Sequence, residues 1–171
     1  MDLCITSGWR GGTGKSTYTS VLGHIWRDAF GLAIRLSTPL DRTRGGGINV
    51  VDFPTFQTTD EIYLERLARC AAVIYVVDED IESLRAVEVL HPITKREVWG
   101  VVVNKVVGKP NRIFLGAYRR FGQVYVVHFD IKLALHKSVG VPPYKARSPA
   151  VLEMARSAVD ILKRHKSISA L

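Results

Sequence analysis

The stretch Trp9-Arg10-Gly11-Gly12-Thr13-Gly14-Lys15-Ser16-Thr17 decides how this chain is read. It follows an apolar run, Leu3-Cys4-Ile5, and precedes Val21, Leu22, Ile25 and Trp26 at helical spacing. Strand, glycine turn and helix, in that order, is the setting of a phosphate-binding loop. Glycines let successive N–H groups converge on one point with no side chain in the way. The helix that follows adds the positive end of its dipole. Lys15 supplies a point charge for the outer phosphates of a nucleotide, and the Ser16 hydroxyl a ligand for Mg2+. Gly11, Gly12, Thr13, Gly14, Lys15, Ser16 and Thr17 are therefore candidate nucleotide-binding residues, and Lys15 also a candidate for the chemistry.

Working outward, the chain has 171 residues, 47% apolar and 23% charged, a composition that reads as one globular domain over 1–171. No apolar run approaches the roughly 20 residues of a membrane-spanning helix, and no basic-then-apolar leader opens the chain. A cytoplasmic location is expected. Cys4 and Cys70 lie far apart without C-x-x-C spacing, so they read as small core residues rather than metal ligands or a disulfide framework. His24, His91, His136 and His165 have no metal-like spacing.

The net charge of +8 is unevenly placed. From Lys105 onward thirteen Lys/Arg face three acids, a balance of +10, whereas residues 1–104 are at −2. A one-sided basic surface attracts polyanions through counterion release. Arg112, Arg119 and Arg120, with Lys163, Arg164 and Lys166 near the end, are the candidate DNA-facing residues.

Strands are expected at 2–7, 32–37, 48–52, 72–77, 98–103 and 124–129. Helices are expected at 15–30, 60–70, 81–90, 111–120, 131–139 and 148–166. The last is capped by Ser148 with Pro149 at its first position, and spaces Val151, Ala155, Ala158 and Leu162 as a core-facing stripe. Mostly unbroken apolar strands alternating with helices predict a three-layer α/β domain on a mostly parallel sheet of about six strands. Its ligand belongs at the C-terminal edge of the strands. Thr38 to Gly47 reads as a polar, mobile loop.

The usual phosphate loop begins with glycine where this chain has Trp9. Arg10-Gly11-Gly12-Thr13-Gly14-Lys15-Ser16 instead resembles the deviant loop K-G-G-x-G-K-[ST] of the ParA/MinD family of P-loop ATPases. The resemblance implies that Arg10, at the position of that family's first lysine, reaches the partner's phosphates across a nucleotide-sandwich dimer. Arginine keeps the charge and can grip phosphate with two parallel hydrogen bonds. Val50-Val51-Asp52-Phe53-Pro54 resembles the family's second switch, implying that Asp52 holds the Mg2+-bound water and that Phe53 to Thr59 senses the γ-phosphate. Val101-Val102-Val103-Asn104-Lys105 resembles the strand whose Asn contacts adenine, although Asn is also a common turn residue after a strand. Phe129-Asp130 to Gly140-Val141-Pro142 is similar to the family's P-x-D and later G-x-P, with His128 in place of the proline and Asp130 lining the base pocket.

Asp78-Glu79-Asp80 matches a family segment by position, and reads as helix-start acids rather than catalytic carboxylates. One part of the family pattern is missing. Its D-x-D-P acids, one of which orients the attacking water, fall on Leu36 and Thr38, and only twelve residues separate Pro39 from Asp52. The chain is thus a shortened member in this comparison, with Asp41 the nearest acid and hydrolysis expected to be slow.

The resemblance implies MgATP, an ATP-dependent homodimer, nonspecific DNA bound by the basic C-terminal part and a ParB-like adaptor, in DNA partitioning. Two rivals remain. One is a membrane-surface positioning ATPase of the MinD kind, with Val159 to His165 and Leu171 as an amphipathic anchor; packing of that helix is preferred. The other is a small-molecule ligase or kinase of the same superfamily, similar to dethiobiotin synthetase, for which no second substrate pocket is evident.

Overall fold

Successive side chains of the strand Asp2–Thr6 (β1) enter different cores: Leu3 and Ile5 pack on one side of the sheet, Cys4 on the other. The same alternation recurs in Ala72–Val77 (β4), where Ile74 and Val76 join the first core and Val73, Tyr75 and Val77 the second. A period of two with both faces apolar requires cover on both faces. The structure, a computed structural model, describes residues 1–41 and 46–165.

The sheet has six strands, all parallel, in the order β2-β3-β1-β4-β5-β6. The remaining strands are β2 (Ile34–Ser37), β3 (Ile48–Asp52), β5 (Glu97–Val106) and β6 (Val124–His128). The helices are α1 (Lys15–His24), α2 (Glu61–Ala68), α3 (Ile81–Thr94), α4 (Arg112–Arg119), α5 (Ile131–Ser138) and α6 (Pro149–Arg164). The first core joins α1 and α6 to one face, and the second joins α2, α3 and α4 to the other. The expected three-layer parallel architecture is what the chain adopts.

Three local readings shift. The expected first helix continues past His24 as a π-helical turn over Ile25–Ala29, where buried Trp26 donates its Nε1–H to Ala158 O at 2.9 Å. Helix α3 runs on to Thr94 through Pro92, a residue that sacrifices only one helical hydrogen bond so close to the end. The buried stripe of α6 is Ala150, Met154, Ser157, Ala158, Ile161 and Leu162, with Val151 and Ala155 at its flank. Ser148 caps α6 as expected, accepting from Val151 N. Among the described residues, no helix is long and apolar enough to cross a membrane.

The cysteine reading needs a correction. Both sulfurs are fully buried in the second core, but Cys4 and Cys70 are bonded to each other as a disulfide, with their Cα atoms 6.0 Å apart. Pairing of β1 with β4 brings them together, since Cys4 aligns with Val73 and Cys70 ends the turn just before that strand. Sequence separation concealed a neighbour that a parallel sheet creates.

Candidate functional site

The central position of β1 places the glycine-rich loop over the middle of the C-terminal sheet edge. Asp52 stands at the end of β3 on one side, and Asp78 follows β4 on the other. Gly14 joins the loop to α1 with φ 92°, a left-handed conformation that favours glycine. A Cβ there would also collide with Asn104 Nδ2. That amide donates to Thr13 O at 2.8 Å, so the end of β5 braces the loop directly.

Lys15 is buried and donates from Nζ to Ser7 Oγ at 2.9 Å, while Ser7 Oγ donates to Arg10 O at 2.5 Å. Burial pulls the Lys15 ammonium below the ordinary lysine range, against the opposing pull of Asp52 and Asp78. Burial likewise pushes the Asp52 carboxyl up, against a hydrogen bond to Ser16 and the charge of Lys15. Asp52 Oδ1 and Thr13 Oγ1 are both buried without a partner among the described residues. An orphaned carboxylate oxygen beside a serine hydroxyl is a hard oxygen donor set suited to Mg2+, and an orphaned hydroxyl within a glycine loop suits a phosphate.

A cavity of about 720 Å³ opens from this loop. Gly12, Thr13, Gly14, Lys15, Ser16, Thr17 and Asp52 line it at the glycine loop. Asn104, Lys105, His128 and Asp130 also line it, with the apolar Leu133, Ala134, Ala150 and Met154. The volume falls within the usual range for small-molecule sites. Each of these expected nucleotide-site residues thus borders one cavity. Gly11 and Arg10 stand beside it: a Cβ on Gly11 would meet Thr55 Oγ1 at 3.2 Å.

The carboxylate of Asp130 is committed to local structure. Oδ1 accepts from Lys132 N at 2.8 Å to cap α5, and Oδ2 accepts from Ser148 Oγ at 2.5 Å. Asp41 accepts from Thr38 N at 2.5 Å and is the turn former its position suggests. Phe53 and Phe56 are buried against Tyr63, so the expected switch segment is pinned to the core at two points.

Several site neighbours were not assigned to the site from sequence. Asp80 caps α3 by accepting from Ser83 N at 2.6 Å and also meets Arg10 Nη2 at 3.0 Å. Helix-start position foretold the cap, but nothing in the sequence foretold the arginine. Lys105 lines the cavity with φ 56°, uncommon for a non-glycine residue, and pairs with Asp78 at 3.4 Å. Burial raises Asp78 despite that lysine.

The candidate DNA-facing residues do not gather on one layer. Arg112, Arg119 and Arg120 belong to the α2–α3–α4 side and Lys163 and Arg164 to the α1–α6 side. Lys166 lies outside the described residues. Arg120 is paired with Glu88 and lies over the Phe121 ring, and Arg164 Nε pairs with Asp160 at 2.6 Å. Arg112 and Arg119 make no ion pair among the described residues and, with Lys109, Pro110 and Leu115, line a second concavity of about 460 Å³.

The fold has known counterparts. The septum site-determining protein MinD of Pyrococcus horikoshii, solved with Mg-ADP, superposes with a TM-score of 0.75 at 13% identity, covering 98% of each chain. A single-residue variant of Cyanothece McdA, solved with ATP, gives 0.70 at 8% identity over 95% of this chain and 96% of that one. A putative plasmid partition protein from Borrelia burgdorferi, bound to AMPPNP, gives 0.69 at 9% over 95% and 98%. No family model and no curated protein sequence matches the chain. The chain has the α/β P-loop fold shared by MinD- and ParA-like proteins.

Proposed function

We propose that this chain is a MgATP-binding ATPase of the ParA/MinD kind. In this reading it dimerises across the nucleotide and holds DNA without sequence preference, in DNA partitioning. The observation that carries the reading is that Lys15 and Asp52 line one cavity with the glycine loop that follows β1 in a parallel sheet. Loop N–H groups and Lys15 would hold the phosphates. Asp52 and Ser16 would hold Mg2+, which when bound neutralises phosphate charge and polarises the outer phosphoryl group. Arg10 would act from the partner subunit.

Turnover would be slow. Among the described residues the only acid lining the cavity at the glycine loop is Asp52, and Gln57 does not line it. An attacking water needs a group within hydrogen-bond reach, and an adaptor that supplied or moved one would act as the timer. DNA contact is assigned to Arg112 and Arg119 on α4, whose guanidiniums have no competing acid among the described residues, with Lys163 a contributor from α6.

The test is DNA binding measured with and without MgATP across a salt series, beside sedimentation of the same samples. Dimerisation and salt-sensitive DNA binding that both require ATP support the reading. Binding to acidic vesicles but not DNA would instead favour a membrane-positioning role.

A further inference from the structure

A further concavity, of about 470 Å³, lies at the opposite edge of the sheet, lined by residues at or just before the starts of β1 to β5. Five residues of β1 separate it from the glycine loop, roughly 16 Å of strand. Three exposed arginines border it: Arg35 on β2, Arg69 closing α2, and Arg96 between α3 and β5. Asp2 is the one carboxylate in its described lining, and it is already engaged. Its Oδ2 meets Arg66 Nη2 at 2.8 Å, and its Oδ1 accepts from Asn49 Nδ2 at 3.0 Å. Arg69 holds Glu65 loosely, at 3.5 Å with both side chains more than two-thirds exposed. Arg96 makes no ion pair among the described residues. Basic residues at helix C-termini ordinarily answer the dipole, and α2 and α3 both end here. Each end carries about half an elementary negative charge, so the two together offset roughly one of the three guanidiniums. A positive surplus remains, although residues 1–104 as a whole stand at −2. The segment that carries Arg69 is also pinned. Cys70 is bonded to Cys4, and the Ala71 N–H donates to Asp2 O at 2.8 Å.

We propose that this concavity is a second anion site, which takes a small phosphorylated ligand carrying at least two negative charges. Guanidiniums grip phosphate with parallel, charge-assisted hydrogen bonds, and a pinned segment loses little freedom when one of them closes on a ligand. The volume suits a small molecule, whereas a DNA duplex is convex and would rest on the rim. A dianion entering here displaces no carboxylate except the loosely held Glu65. The site does not depend on the nucleotide reading, because the length of the strands separates the two.

Inorganic pyrophosphate without Mg2+ is the probe, titrated into Lys15→Ala so that the glycine loop does not contribute. Calorimetry reads the affinity, and the arginine Nε–H signals in NMR read the place. Lys15→Ala is expected to bind pyrophosphate with shifts at Arg69 and Arg96. Adding Arg69→Gln and Arg96→Gln should weaken binding by about tenfold or more, since each substitution removes charge-assisted hydrogen bonds. Both side chains are exposed, so the fold should persist, and an unchanged melting curve checks it. Adding Arg85→Gln and Arg156→Gln instead, two exposed arginines outside the lining, should leave the affinity as it was. No binding by Lys15→Ala, or equal weakening by the two pairs of substitutions, overturns the site. Duplex DNA that binds through Arg69 and Arg96 where pyrophosphate does not would make this edge a DNA contact, and would overturn the small-ligand proposal as well.

Discussion

Arg10 Nη2 lies 3.0 Å from Asp80 Oδ2, so the residue expected to reach a partner's phosphates is held by an acid of its own chain. Partial burial opposes ionisation of Asp80, yet the Ser83 N–H and the Arg10 guanidinium together hold its carboxyl below the ordinary range. Arg10 must leave this carboxylate before it can serve in trans. Arg10→Ala is expected to leave ATP binding by the monomer nearly intact and to weaken ATP-dependent dimerisation. Asp80→Asn is expected to do the reverse: Asn caps a helix as well as Asp, and releasing a half-exposed ion pair should tighten the dimer by about two- to fivefold. Sedimentation velocity with ATP checks both, and equal dimerisation in all three proteins would remove Arg10 from the interface.

Lys15→Ala should abolish nucleotide binding with the fold intact, because the side chain contributes charge to the cavity and one hydrogen bond to Ser7, not core packing. The wild type should also show a proton linkage. Burial lowers the Lys15 pKa, so the free protein loses this charge at a lower pH than an ordinary lysine would. Phosphate favours the charged form. ATP affinity should fall as pH rises through that lowered range, with proton uptake on binding. Calorimetry in buffers of different ionisation heat measures the uptake; its absence at alkaline pH would contradict the assignment of Lys15.

Asp52→Asn is expected to stabilise the unliganded protein and abolish the tightening of ATP binding by Mg2+. The sign follows from burial. The carboxyl's pKa is raised in the folded state, so its ionised form opposes folding above that raised value, and protonation or amidation relieves the penalty. A rise in melting temperature of the variant in metal-free buffer is the expected readout. Lower stability of the variant in metal-free buffer would contradict the burial argument.

Unstimulated hydrolysis should lie well below the roughly 1–10³ s⁻¹ typical of enzymes. Phosphate release from purified protein with MgATP, with and without DNA, gives the rate. Brisk turnover would mean that a group other than Asp41, which is tied to Thr38, positions the water.

Reversing Arg112 and Arg119 to Glu should weaken DNA binding and leave ATP binding unchanged. Each lost phosphate contact flattens the slope of log affinity against log salt by about 0.9 on duplex DNA, so the pair should change it by roughly 1.8. Reversing Arg120, already paired with Glu88, should matter less. A wild-type slope in the double variant would mean that these arginines serve solubility alone.

The phosphate loop, the six strands and the acid at the end of β3 were legible because each depends on neighbours in sequence: a glycine turn, a run of branched apolar residues, a strand end. Local chemistry also announced the cap at Ser148 and the helix-start acids before α3, of which Asp80 is the cap. The split of the basic residues was illegible, because charge counted along a chain says nothing about which side of a sheet a helix covers.

By itself, then, the sequence determined the element order, the parallel sheet and the residues that could meet a phosphate, since hydrophobic period and turn chemistry act over a few positions. Tertiary structure alone decided who their partners are. Cys4 finds Cys70 because β4 pairs with β1, Arg10 finds Asp80 across 70 positions, and Asn104 reaches the phosphate loop across 91. His128 meets Glu153 only because α6 folds back to set that acid beside it. Strand order, which no local pattern encodes, is the physical reason: it sets which loop tips converge at one sheet edge, and so which side chains share a site.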